Sequence, residues 1–251
     1  MPDLSFAMRA LSSTELLAIW ETELTSDGVE RALSLLSAAF IETSREDLAQ
    51  WSIGRRDATL LQLRELAFGS SLASVESCPR CGEQLELNFT VDDVRVEPAT
   101  ENEATLSLHK DAYEILFRLP NSRDLQAIAA CANQMDSRAV LLERCLHEAS
   151  QNGQAVSATQ LPQDVVEAIA ERMAQADPGA HMQLDLCCPA CEHRWQTNFD
   201  IVSFFWSEID AWAQRLLGEV HTLARAYGWR EMDILNMHPH RRRFYMEKIS
   251  A

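Results

Sequence analysis

Two short segments carry the residues best suited to chemistry. SCPRCGEQLELNFTV at 77–91 and CCPACEHRWQTNFDI at 187–201 share one register, which aligns Cys78 with Cys188, Pro79 with Pro189 and Cys81 with Cys191. The same register aligns Asn88 with Asn198, Phe89 with Phe199 and Val91 with Ile201. Two residues between paired cysteines let one tight turn present both sulfurs to a single ion, and a structural zinc takes four such ligands in a tetrahedron. Each Cys-Pro-x-Cys therefore supplies half a site, and Cys78, Cys81, Cys188 and Cys191 together make a full ligand set for one Zn2+. Four thiolates leave no coordination position for water or substrate, so the chemistry on offer is structural.

Thiol redox chemistry is the competing reading of Cys-Pro-x-Cys. It requires the first thiolate at a helix N-terminus, where the helix dipole lowers its pKa. Here a two-residue apolar period follows each motif instead: Leu85, Leu87, Phe89 and Val91 after the first, Trp195, Thr197, Phe199 and Ile201 after the second. That is the pattern of a half-buried strand. The metal is expected to bring the strands after the two knuckles side by side, as in a zinc ribbon, with the segment between them as an insertion. Register with Ser77 places Cys187 outside the ligand set, and His193 is the alternative nitrogen ligand, with a solvent-facing loop role as the simpler reading. Cys131 and Cys145 fall in predicted helices and read as small core residues.

Helices flank these strands. Ser12 with Glu15, and Asp27 with Glu30, have capping-box spacing, and Val29, Ala32, Leu33, Leu36 and Phe40 then share a face. A helix is predicted from about Arg55 to Ala67, with Leu60, Leu63 and Ala67 on its core side. Residues 92–104 read as an acidic loop, 106–119 as a hairpin turning near 109–112. Asn121 or Ser122 caps a helix to about Ala132, and Asp136 caps another to about Ala149. QNGQAVSATQLP reads as a loop before a third helix, which the DPG of 177–179 stops. Phe205, Ile209, Trp212, Leu216, Val220, Leu223 and Tyr227 recur at helical spacing, which predicts one helix of roughly 37 Å over 203–227. Gly228 ends it, and short helices over 231–237 and 239–249 follow. The fold class read from this pattern is α+β, mostly helical, with a small antiparallel zinc-ribbon-like module. Its divisions are 1–72 (helical), 73–92 (first knuckle and strand), 93–180 (insertion), 181–202 (second knuckle and strand) and 203–251 (long helix and helix pair).

The chain has 251 residues, 47% of them hydrophobic, enough for a sizeable core without disulfides. Its 38 acidic residues against 22 basic give a formal net charge of −16, which disfavours nucleic acid and anionic membrane as partners. No stretch approaches the roughly 20 apolar residues of a spanning helix, and MPDLSFAMRALSS lacks an apolar leader region, so a cytoplasmic location is expected. Seven cysteines, four of them in two paired units, favour metal over disulfides in that setting. No phosphate-binding glycine loop, nucleophile elbow or pair of catalytic carboxylates is present, so the chain does not read as an enzyme. HPHRRR at 238–243 is the one basic cluster. Tyr227, Trp229, His238, Arg241, Arg242 and Arg243 are the candidate partner-binding residues, because aromatic and arginine side chains dominate binding energy at interfaces. A zinc-ribbon regulator that binds nucleic acid or a protein partner is the second reading.

Three stretches carry a resemblance. STELLAIWE, DGVERALSLLSAAF and WSIGRRDATLLQLRELAFG at the start, FRLPNSRDLQAIA in the middle, and the run from CCPACEHRWQTNFDI to RRRFYMEKI resemble a family encoded in gene clusters for contractile injection systems and related phage tails. Residues 203–249 are also similar to the baseplate hub assembly proteins of T-even phages, through Glu219-Val220-His221, Tyr227-Gly228-Trp229 and Arg241-Arg242-Arg243. The resemblance implies a non-enzymatic, chaperone-like assembly role, or a structural one, at a baseplate. Hub or spike proteins are the partners the resemblance implies, and incorporation in the assembled particle is the location it adds to the cytoplasm.

Overall fold

The computed structural model describes residues 8–96, 105–131 and 133–250. The acidic stretch 97–104, most of the expected loop, lies outside the described residues, as do residues 1–7. The architecture is α+β, with three small antiparallel sheets set among helices. Helices α1 (Ser13–Thr22), α2 (Gly28–Ala39), α3 (Arg45–Ala49) and α4 (Ile53–Phe68) come first. Each starts at a side chain that accepts an orphan backbone N–H: Ser12 in a full capping box with Glu15, then Asp27, Ser44 and Ser52. Leu33, Leu36, Leu60 and Leu63 are buried in the main core. Ala67, expected on that face, is exposed. The α4 stripe instead runs through Leu60, Arg64 and Phe68, one turn apart.

Gly69 leads into β1 (Ser71–Ser77), which pairs antiparallel with β2 (Gln84–Thr90), so the first knuckle is the tip of a hairpin. The second knuckle is likewise the tip of a hairpin, β7 (Gln183–Cys187) with β8 (Arg194–Asn198). This corrects the expected strand arrangement. The strand after each knuckle pairs with the strand before it, and β2 and β8 belong to separate two-stranded sheets. β1 escaped prediction because SLASVES buries little besides Leu72. After β2 a short helix α5 (Val91–Val94) starts in a Thr90–Asp93 capping box, where the sequence read as loop.

The insertion has its own core. β3 (Leu106–Lys110) and β4 (Tyr113–Phe117) form the expected hairpin, and Asn121 caps α6 (Ser122–Ala129). Helix α7 (Gln134–Cys145) stops short of the predicted Ala149, since β5 (Leu146–Gln151) pairs with β4 and that pairing overrides local propensity. The side chain of Asp136, its expected cap, lies outside the described residues. Asn152 and Gly153, both at positive φ, then turn the chain into β6 (Gln154–Ala155), giving the sheet order β3-β4-β5-β6. Helix α8 (Gln163–Ala176) packs Val165 and Ile169 on Leu106, Ile115 and Phe117. It ends at Asp177 and a 3-10 turn, Pro178–Ala180, that leads into β7.

Helix α9 (Ile201–Tyr227) follows β8 and connects two cores. Its first half places Ile201, Phe205 and Ile209 in the main core; its second half places Leu216, Val220 and Leu223 against Ile234 and Leu235 of α10 (Glu231–Leu235). Gly228, in the left-handed conformation, terminates it, and α11 (Pro239–Ser250) packs back on its side.

Candidate metal centre

The knuckle turns share one hydrogen-bond pattern. The Cys78 N–H donates to the Glu83 carbonyl at 2.8 Å, and the Gly82 N–H to the Cys78 carbonyl at 2.9 Å. In the second turn the Cys188 N–H donates to the His193 carbonyl, and the Glu192 N–H to the Cys188 carbonyl, both at 2.9 Å. These turns aim four sulfurs at one point. The Sγ atoms of Cys78 and Cys191 are 3.7 Å apart, those of Cys81 and Cys188 3.6 Å, and all four lie within 4.8 Å of one another. A tetrahedron with metal–sulfur bonds near 2.3 Å has edges of about 3.8 Å, so the cluster has the dimensions of a four-thiolate metal site. It is far too open for a disulfide, whose sulfurs lie about 2.05 Å apart. Among the described residues this is the one group of three or more potential ligands that converges so closely.

The electrostatics call for a cation. Burial opposes ionisation of the Cys78 thiol, but backbone N–H groups of Cys81 and Arg80 and the neighbouring thiols outweigh it and bring it down to about 7. The Glu83 N–H favours the Cys81 thiolate, yet the sulfurs around it and burial push that group up to about 12. The Cys78 thiol ionises more readily than usual while those of Cys81 and Cys191 resist, so a positive ion at the centre would favour their thiolates at this spacing.

Apolar groups close the module around the cysteines. Cys78 and Cys188 are buried with Leu85, and Leu87, Cys191 and Trp195 pack against them. At the other end Phe89 meets Phe199 edge-to-face with centroids 5.7 Å apart, which explains why Phe recurs at the end of each repeat. Cys187 is exposed and outside the cluster. His193 also stays out of it, with its ring stacked on Trp195. Cys145 is buried and Cys131 half-buried.

Residues that sequence reasoning missed hold the roots of the hairpins. Arg64, 2% exposed, donates to the carbonyls of Gly69 and Ser71 at 2.6 and 2.7 Å and forks onto Glu208 of α9 at 2.5 and 2.7 Å. It ties the start of β1 to the helix that follows β8. On the other side the Gly54 N–H donates to Asp177 Oδ2 at 2.9 Å, just before the turn into β7. Burial pushes the Asp177 carboxyl above its ordinary range, while the Gly54 N–H and the Ser52 hydroxyl favour its charged form. A Cβ on Gly54 would fall 2.0 Å from Asp177 Oδ1 and 2.8 Å from the Ala180 nitrogen, so only glycine permits this approach.

The candidate partner surface is partly rearranged. Tyr227 stacks on Trp229 at 4.5 Å, and Tyr245, absent from the sequence reading, crosses Trp229 edge-on at 4.8 Å. His238, Arg241 and Arg243 are exposed. Arg242 is not. It is 4% exposed, with Nε on Glu219 at 3.0 Å and Nη1 on the Met237 carbonyl at 2.7 Å, so it fastens α11 to α9 and is unavailable to a partner. No described helix is long and apolar enough to cross a membrane.

No curated protein and no solved structure matches the chain. A family model described as T4 bacteriophage base plate protein matches residues 10–206, from the first helices through the insertion and both hairpins into the start of α9, and the chain therefore belongs to that base plate family.

Proposed function

We propose that the protein is a non-enzymatic component of baseplate construction in a phage-tail-like contractile injection particle, acting as a chaperone-like assembly factor for the hub or as a baseplate-associated structural protein. One Zn2+ on Cys78, Cys81, Cys188 and Cys191 clamps its two hairpins. The observation that carries the metal reading is the convergence of four sulfurs from distant segments, with contacts of 3.6 and 3.7 Å, in a chain of the base plate family. Tetrahedral sulfur coordination suits zinc or iron, and an all-thiolate shell has no open position, which supports a structural role. The ion ties Cys81 to Cys188 across 107 residues and so joins the segments flanking the insertion into a zinc-ribbon-like module. On this reading the protein works in the cytoplasm during assembly and binds hub or spike components.

Metal analysis and absorption spectroscopy of protein purified without added metal test the first half: one zinc per chain and a colourless sample are expected, and a red, iron-loaded sample would replace zinc by iron. Deletion of the gene tests the second half, with incomplete baseplates expected by electron microscopy. Complete, functional particles from the deletion strain would overturn the assembly reading. Salt-dependent binding to DNA or RNA would favour the regulator reading, which the net charge of −16 opposes.

A further inference from the structure

The family match ends at Trp206, and the helix pair beyond it carries a surface unlike the rest of the molecule. Among the large hydrophobic side chains left exposed, Tyr227, Met232, Phe244 and Ile249 all belong to this short segment. Phe244 sits edge-on to Tyr245 at 5.5 Å, which continues the stack of Tyr227, Trp229 and Tyr245 into one run of four rings. Its outer members, Tyr227 and Phe244, are 40% and 52% exposed. Within three residues of these rings in the chain are Arg225, Arg230, Arg241 and Arg243. All four are exposed, and among the described residues none forms an ion pair, although the chain has 38 acidic side chains. Arg241 and Phe244 lie three residues apart on α11 and so share a face.

We infer that this surface docks an acidic segment of another protein, one that carries an aromatic or aliphatic anchor among its carboxylates. Unpaired guanidinium groups accept carboxylates in a bidentate fork, and the ring cluster offers an apolar seat beside them. Charge complementarity selects this occupant. A nucleic acid strand extending past the patch would meet an acidic body, and a second copy brings a net charge of −16 against −16. The inference deepens the assembly reading and rests on it only for where the partner resides.

Fluorescence anisotropy with the full-length, metal-loaded protein tests it. The probes are a short labelled peptide of Asp and Glu with a central Trp-Leu, its Asn/Gln counterpart, its anchor-free counterpart, and a single-stranded oligonucleotide. The acidic anchored peptide should bind best. Arg241→Glu with Arg243→Glu, and separately Phe244→Ser, should each weaken it by about tenfold or more. Arg194→Glu on the second hairpin should leave it unchanged. Equal binding of the Asn/Gln peptide, tighter binding of the oligonucleotide, or sedimentation showing that the surface is occupied by a second copy would overturn the inference. Particle yield in cells with the same variants separates the two readings. Lost peptide binding with normal particles would count against the assembly role alone, whereas wild-type peptide binding by these variants would count against the surface alone.

Discussion

At their tips the two hairpins are nearly interchangeable: Cys78 and Cys188 each donate to the carbonyl five residues on, at 2.8 and 2.9 Å, and each accepts from the N–H four residues on. At their roots Phe89 meets Phe199, and Val91 and Ile201 enter the same core, but the polar anchors differ. Arg64 and its carbonyl and carboxylate partners hold the first; the close approach of Gly54 to Asp177 positions the second. A metal constrains the four residues that ligate it, so the tips have one solution. The roots dock onto opposite ends of one helix, the end of α4 in one case and its beginning in the other, and each docking is solved separately. The difference teaches where a metal at this site would act. It would join tips whose roots are already held by the main core, and so would couple the two roots through the module.

Breaking the shared tip should have the largest effect. Cys188→Ser removes a fully buried ligand and is expected to abolish stoichiometric metal and to cost several kcal/mol of coupled binding and folding. Cys81→Ser should do the same although Cys81 is exposed, since the ligand set and not burial sets the cost. Metal content and thermal melting measure both; full metal and an unchanged melting temperature in either would sink the four-cysteine assignment.

Arg64→Ala attacks one root and should cost about 3 kcal/mol, because two carbonyls and Glu208 lose a buried cationic partner. Glu208 is 27% exposed, which allows water to compensate in part. Hydrogen exchange should quicken more in Ser71–Thr90 than in Gln183–Asn198, and equal loosening of both hairpins would mean that the roots are not independent.

The tips were legible in the sequence and the roots were not, for a physical reason. Ligand spacing is a local, periodic signal, and its recurrence at Cys78 and Cys188 points to a shared site before any fold is known. Arg64 was partly visible as a charge one turn after Leu60 on an apolar stripe, but its partners at Gly69, Ser71 and Glu208 depend on chain paths that spacing does not reveal. Leu146–Gln151 has few strand formers, and its pairing with β4 had to override the helical pattern, though Asn152-Gly153 was an available turn signal. In the run Arg241 to Arg243 the composition cannot distinguish the buried member, which Glu219 and the Met237 carbonyl select.

Gly54→Ala should disturb the other root, by about 1–3 kcal/mol as an overpacking cost. The Asp177 carboxylate can rotate from its 2.0 Å encounter with the new methyl, but the Ala180 nitrogen at 2.8 Å is backbone and must shift. Exchange should then quicken in β7 and β8 more than in β1 and β2, the reverse of the Arg64 variant.

The smallest effects test a place where the backbone of the tips is alike and the side chain is not. Gly82 and Glu192 occupy the same position of their turns, with φ of +78° and +56°. Nothing lies within 4 Å of a Cβ at Gly82, so Gly82→Ala meets no steric obstacle and its cost is purely conformational, about 1 kcal/mol. Glu192 already bears that strain, and its exposed side chain has no hydrogen-bond or ion-pair partner among the described residues. Glu192→Gly should therefore stabilise the metal-loaded protein by up to about 1 kcal/mol, reduced by the extra chain freedom of glycine in the unfolded state. Thermal melts of both variants with metal bound provide the check. Opposite signs are expected, and a loss of stability from both would mean that the Glu192 side chain contributes to the second turn something that the first turn does without.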